Sequence, residues 1–172
     1  MEISHGAACA VTGHRPEKLP WKYDERDPRC VELKRRVEDA VRAVYEAGVR
    51  HYICGMAKGC DMCFAEAVIT LRDERPDVTL EAAVPCETQS AAWTPAERER
   101  YYYILHQCDK QTLISRAYTP ECMLRRNRYM VDSSRVLIAA CEEGGPARGG
   151  TAQTLHYAQA QGLRIIKIPI PV

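Results

Sequence analysis

Three short stretches carry residue types suited to holding a phosphorylated ligand: "TGHRPEKLP" (12–20), "GMAKGCD" (55–61) and "EEGGPARGGTAQT" (142–154). Each follows an apolar run. The start of a helix leaves backbone N–H groups unpaired and carries about half a positive charge, and glycine lets a phosphate approach that backbone. In the third stretch Gly149, Gly150 and Thr151 form such an entrance, with the Thr151 hydroxyl as helix cap or phosphate donor. The loop alone is equally compatible with a turn before an ordinary capped helix, and it is neither a Walker loop nor a dinucleotide fingerprint.

In the second stretch Gly55, Met56, Ala57 and Gly59 make a short turn into a helix whose first turn holds Asp61. An Asp there stabilises the helix dipole by ~0.3–1 kcal/mol, the reading preferred for the residue alone. The same residue type holds ribose hydroxyls at nucleotide sites. In the first stretch, Thr12 and Gly13 precede His14 and Arg15. An arginine just past a strand can clamp phosphate bidentately, whereas a histidine is more often structural. A fourth stretch, "CMLRRNRYMVDSS" (122–134), places Met123, Asn127, Met130 and Val131 on one helical face, so Asn127 interrupts an apolar stripe and needs partners. Arg125, Arg126 and Arg128 surround it.

The elements that would position these residues follow from hydrophobic periodicity. Strands are expected at 7–12, 51–55, 78–85, 111–115, 135–140 and 164–170. Helices are expected from Leu33 to about Gly48, from Gly59 to Arg72, and over 95–107, 121–133 and 150–161. Residues 14–28 and 86–94 are irregular. Strands alternating with long helices imply an α/β fold: a doubly wound, Rossmann-like, mainly parallel sheet with helices on both faces, here as one domain over 1–172. Ligands bind such sheets outside the carboxyl ends of the strands, where all three loops lie. Trp93 and Pro85, near the third strand's exit, are expected to wall the pocket.

The 172 residues carry 24 Lys plus Arg against 23 Asp plus Glu, so any anion site must be local. No apolar segment approaches the ~20 residues that span a bilayer. The N-terminal "MEISHGAACAVTG" lacks a basic region followed by a longer apolar stretch, and the expected location is cytoplasmic with no membrane partner. Nine cysteines, several in core-like runs, read as reduced packing residues. The pair Cys60 and Cys63 has redox or metal spacing but no second pair, so no metal site is expected.

Together "TGHRP", "GMAKGCD", "RRNRYM" and "GGTAQT" resemble the SLOG superfamily, whose Rossmann-like members include DprA and the LONELY GUY phosphoribohydrolases, and within it the bacterial YpsA-like group. The resemblance to DprA implies single-stranded DNA binding, and the family resemblance singles out Arg126 among the arginines of the fourth stretch as the one expected to turn inward. That to the phosphoribohydrolases implies nucleotide hydrolysis, but their catalytic glutamate falls on Thr154 here. A hydrolase would need another carboxylate, such as Asp61 or Glu87, with Glu142 and Glu143 available only if their loop folds back. Against DNA stands the charge balance, although Arg116, Arg125, Arg126 and Arg128 could make a local patch. Tyr101, Tyr102 and Tyr103 point to different helix faces and make no stacking platform.

The favoured expectation is binding of a nucleotide or nucleotide-derived ligand, with no further cofactor required, by a sensor or regulator. Its phosphates would rest on Gly149, Gly150 and Thr151, Arg15 and Arg126 would supply charge, and Asp61 and Asn127 would orient ribose or base. Single-stranded DNA is the less favoured partner, and the resemblance makes a homodimer possible.

Overall fold

A computed structural model describes residues 6–146 and 148–172. The reading of the extreme N-terminus (1–5), and Ala147 within the glycine-rich stretch, lie outside the described residues. The six apolar runs form β1 (Ala8–Gly13), β2 (His51–Cys54), β3 (Thr79–Cys86), β4 (Lys110–Ser115), β5 (Val136–Cys141) and β6 (Arg164–Pro169). They pair in parallel in the order β4-β3-β2-β1-β5-β6. The chain therefore winds outward one way from β1 to β4, then returns to β1's other edge. That reversal, between β1 and β5, is the topological switch point where a crevice opens beyond the strand ends.

Helix α1 (Pro28–Glu46) begins where Asp27 accepts a hydrogen bond from the Arg29 N–H at 2.8 Å and proline fills the first helical position. Its face of Leu33, Val37, Val41 and Val44 is buried on the sheet together with α2 (Cys60–Glu74) and α3 (Pro95–Gln107). Helices α4 (Cys122–Asp132) and α5 (Gly150–Ala160) bury Met130, Val131, Leu155 and Ala158 on the opposite face. The expected doubly wound arrangement is thus observed, with differences at its margins. Strand β2 ends at Cys54, before Gly55, and Pro16–Lys18 forms a short 3-10 turn within a stretch expected to be irregular. The edge strand β4 is incompletely covered: Lys110 and Gln111 are exposed and Leu113 is 44% exposed.

Candidate functional site

At the switch point lies a cleft of about 270 Å³. Its walls include Thr12, Gly13, His14 and Arg15 from the end of β1, Ala57 and Asp61 from the start of α2, Arg126 and Asn127 from α4, and Gly150 and Thr151 from α5. Four strand-exit and helix segments far apart in sequence are brought to one place. Gly55, Met56, Gly59 and Gly149 do not line the cleft; they shape its walls. Met56 points into the core, fully buried at a φ of 60°. Gly59 has a φ of 89°, and a Cβ there would lie 2.6 Å from the His14 carbonyl oxygen, so only glycine lets the second loop press against the first. Gly149 occupies the N-cap position of α5, with the Lys18 ammonium beside it.

On α4 the structure decides between Asn127, expected from helical spacing to be the inward polar group, and Arg126, expected from the family resemblance to turn inward. Asn127 is half-buried, and the polar group turned fully into the protein is Arg126, 4% exposed, on the same stripe as Cys122 and Met130. Its Nη1 donates to the Gly55 carbonyl, its Nε donates to Asn127 Oδ1 at 2.8 Å, and its Nη2 lies 3.8 Å from the Met123 sulfur. Among the described residues it forms no ion pair. Burial pulls its guanidinium below the ordinary arginine range despite the nearby Asp61. Asp61, itself buried, accepts from the Ala57 N–H at 3.1 Å; burial pushes its carboxyl up, opposed by Arg126. A buried cation without an ion pair among the described residues and a buried carboxylate thus face one crevice. Arg15 stays exposed at the rim, its Nη2 4.0 Å from the Met123 sulfur.

His14 is buried, with Nε2 2.9 Å from Glu142 Oε2 and Nδ1 3.4 Å from Thr151 Oγ1. The Thr151 hydroxyl is therefore not the cap of α5, one of the two roles expected for it; Gly149 fills that position and no side chain caps it. Glu142 does fold back onto His14, and that hydrogen bond holds its carboxyl below the usual range. Periodicity could not find this contact, because Glu142 and His14 are 128 positions apart and meet only through the β1–β5 pairing. At the position of the phosphoribohydrolase glutamate, the Thr154 hydroxyl donates to the Gly150 carbonyl at 2.9 Å. Glu87 is exposed and lies outside the cleft lining. Trp93 and Pro85 do not wall the cleft either: Pro85 is buried in β3, and Trp93 packs edge-on against Tyr101 and lines a separate pocket of about 70 Å³ with Trp21, Tyr23 and Lys58. Cys60 and Cys63 are buried, and burial pushes both thiols up, Cys63 to about 12.

An all-parallel sheet reversing at its first strand, with a cleft at the reversal, defines a Rossmann-like α/β protein. The YpsA family model, described as the YspA SLOG family, matches residues 9–169, and the chain belongs to this family. It is 30% identical over 156 residues to the UPF0398 protein of Bacillus thuringiensis (strain Al Hakam), covering 89% of this chain and 83% of that protein. The UPF0398 protein of Bacillus cereus (strain Q1) matches at the same identity and coverage. The X-ray structure of TM1055, a structural genomics target, superposes with a TM-score of 0.54 at 16% identity over 92% of this chain and 72% of that one, a likeness of fold. Family and fold are consistent with a nucleotide-related function.

Proposed function

We propose that the cleft binds a nucleotide or nucleotide-derived ligand through its phosphate groups, and that the protein acts as a sensor or regulator. The observation that carries this reading is Arg126, an arginine 4% exposed and free of ion pairs among the described residues, lining the cleft that also holds the first turn of α5. A buried cation without an anion in contact is costly, and a phosphate in the cleft would supply that contact. The unpaired N–H groups of α5 add donors and a positive dipole end. Asp61 has the chemistry to accept hydrogen bonds from a ribose diol. Thr151 contributes its backbone N–H, since its hydroxyl is turned to His14.

The experiment is native mass spectrometry of freshly purified protein to identify any retained nucleotide, followed by calorimetric titration with a nucleotide panel. Arg126→Ala is expected to weaken binding about 100-fold, equivalent to about 2.7 kcal/mol. An Arg126→Ala protein with wild-type affinity, or a wild type that binds no member of the panel, removes this reading.

A further inference from the structure

The cleft also holds a relay that binding alone does not require. Its members come from three segments: His14 at the end of β1, Thr151 in the first turn of α5, and Glu142 directly after β5. A carboxylate only accepts hydrogen bonds, so Glu142 Oε2, at 2.9 Å, fixes the proton of the neutral imidazole on Nε2. Nδ1 is left with its lone pair facing the Thr151 hydroxyl at 3.4 Å, and that hydroxyl must donate. Thr151 makes no cap, and one turn later Thr154 spends its hydroxyl inside the helix. The Thr151 hydroxyl is thus committed to a base, and that base to a carboxylate. His14 is 4% and Thr151 7% exposed, both on the cleft wall, while Glu142 reaches solvent behind them. Nucleophile, base and orienting acid within reach of one another are the parts of an activated hydroxyl.

The geometry points to Thr151 as a nucleophile that accepts the terminal phosphoryl group of a nucleoside polyphosphate held in the cleft. Thr151 Oγ1 attacks the terminal phosphorus; the Oγ1–P bond forms as the P–O bond to the departing nucleotide breaks, and that nucleotide leaves with the electron pair. The hydroxyl proton passes to His14 Nδ1, and Glu142, a positioning residue, stabilises the imidazolium. Water then attacks phosphorus and the Oγ1–P bond breaks. The imidazolium returns its proton to Oγ1, while water gives its hydroxyl to the phosphate and its other proton to solvent. Arg126 and the N–H groups of α5 face the charge on the phosphoryl oxygens.

This step rests on the phosphate reading of the cleft, and the test separates the two. The protein is incubated with ATP labelled in its terminal phosphate, with and without magnesium. Phosphate release and label on the peptide containing Thr151 are followed, and ATP affinity is measured by calorimetry. Release by the wild type is expected, lost in Thr151→Ala and retained in Thr151→Ser. Glu142→Gln should slow it about 100-fold while leaving ATP affinity within about threefold. ATP binding without release, or release that persists in Thr151→Ala, overturns the nucleophile and leaves the binding reading intact. A wild type that does not bind ATP at all overturns this proposal, and the nucleotide panel then decides the binding reading separately.

Discussion

Gly55 sets where Arg126 can be. A Cβ built at this glycine would lie 2.9 Å from the Arg126 guanidinium carbon and 3.0 Å from Asp61 Oδ2, so the absent side chain is the space the two charged groups occupy. Gly55→Ala is expected to displace both, costing about 1–3 kcal/mol of stability by overpacking, and to weaken ligand binding about tenfold. Urea unfolding together with calorimetry checks it, and unchanged affinity would detach Arg126's placement from binding. At this scale the sequence was partly legible. The residues that gather at the cleft stood out because they punctuate strand exits with glycine and charge. Helical spacing chose Asn127 as the inward polar group, because a periodicity of apolar residues treats arginine as a solvent-facing charge; the family resemblance alone pointed to Arg126. The Gly55 carbonyl, 71 positions away and invisible as a partner in one dimension, helps make Arg126's burial tolerable together with the Asn127 amide oxygen and the Met123 sulfur.

Helix α4, which carries Arg126, is fastened to the sheet by a second buried charge. Glu81 lies in the middle of β3 at 2% exposure, and the Tyr129 hydroxyl of α4 donates to its Oε2. Thr112 donates to the same oxygen at 2.8 Å, and His51 Nε2 lies 2.7 Å from Oε1. Burial pushes this carboxyl up, but the hydrogen bonds from Tyr129, His51 and Thr112 outweigh it and hold it below the usual glutamate range. A depressed carboxyl contributes stability that is present above its unfolded value, near 4.3, and is lost as pH falls through the folded value. Tyr129→Phe is therefore expected to cost about 1–3 kcal/mol at neutral pH, with the deficit shrinking below about pH 4 as Glu81 protonates in both proteins. Denaturant midpoints measured across that range test it, and a deficit independent of pH would refute the coupling. The strand run "VTLEAAVP" announced β3, yet nothing in it foretold Glu81's partners, which arrive from β2, β4 and α4 through the strand order.

For the molecule as a whole, the net charge of +1 supplies no strong overall field for a polyanion. Arg116, Arg125 and Arg128 are exposed, with Arg128 over the Tyr157 ring, and of the three tyrosines on α3 Tyr101 is buried while Tyr102 and Tyr103 face solvent. A ligand that binds only the folded state should instead show in thermal unfolding. At about 100 times its dissociation constant it stabilises by about 2.7 kcal/mol, a rise of roughly 5–11 °C for a chain of this size. Differential scanning fluorimetry with the nucleotide panel measures this, and no shift at saturation would contradict it. The order of the sheet has a further consequence, during translation. β1 (Ala8–Gly13) finds β2 within about forty residues, but its other neighbour, β5, begins at Val136, and the first turn of α5 begins at Gly150. At elongation rates of about 5–20 residues per second, the nascent chain spends on the order of ten seconds with one flank of its central strand uncovered. Throughout that interval the cleft lacks its last wall, so a ligand finds no complete pocket until the first turn of α5 has been made.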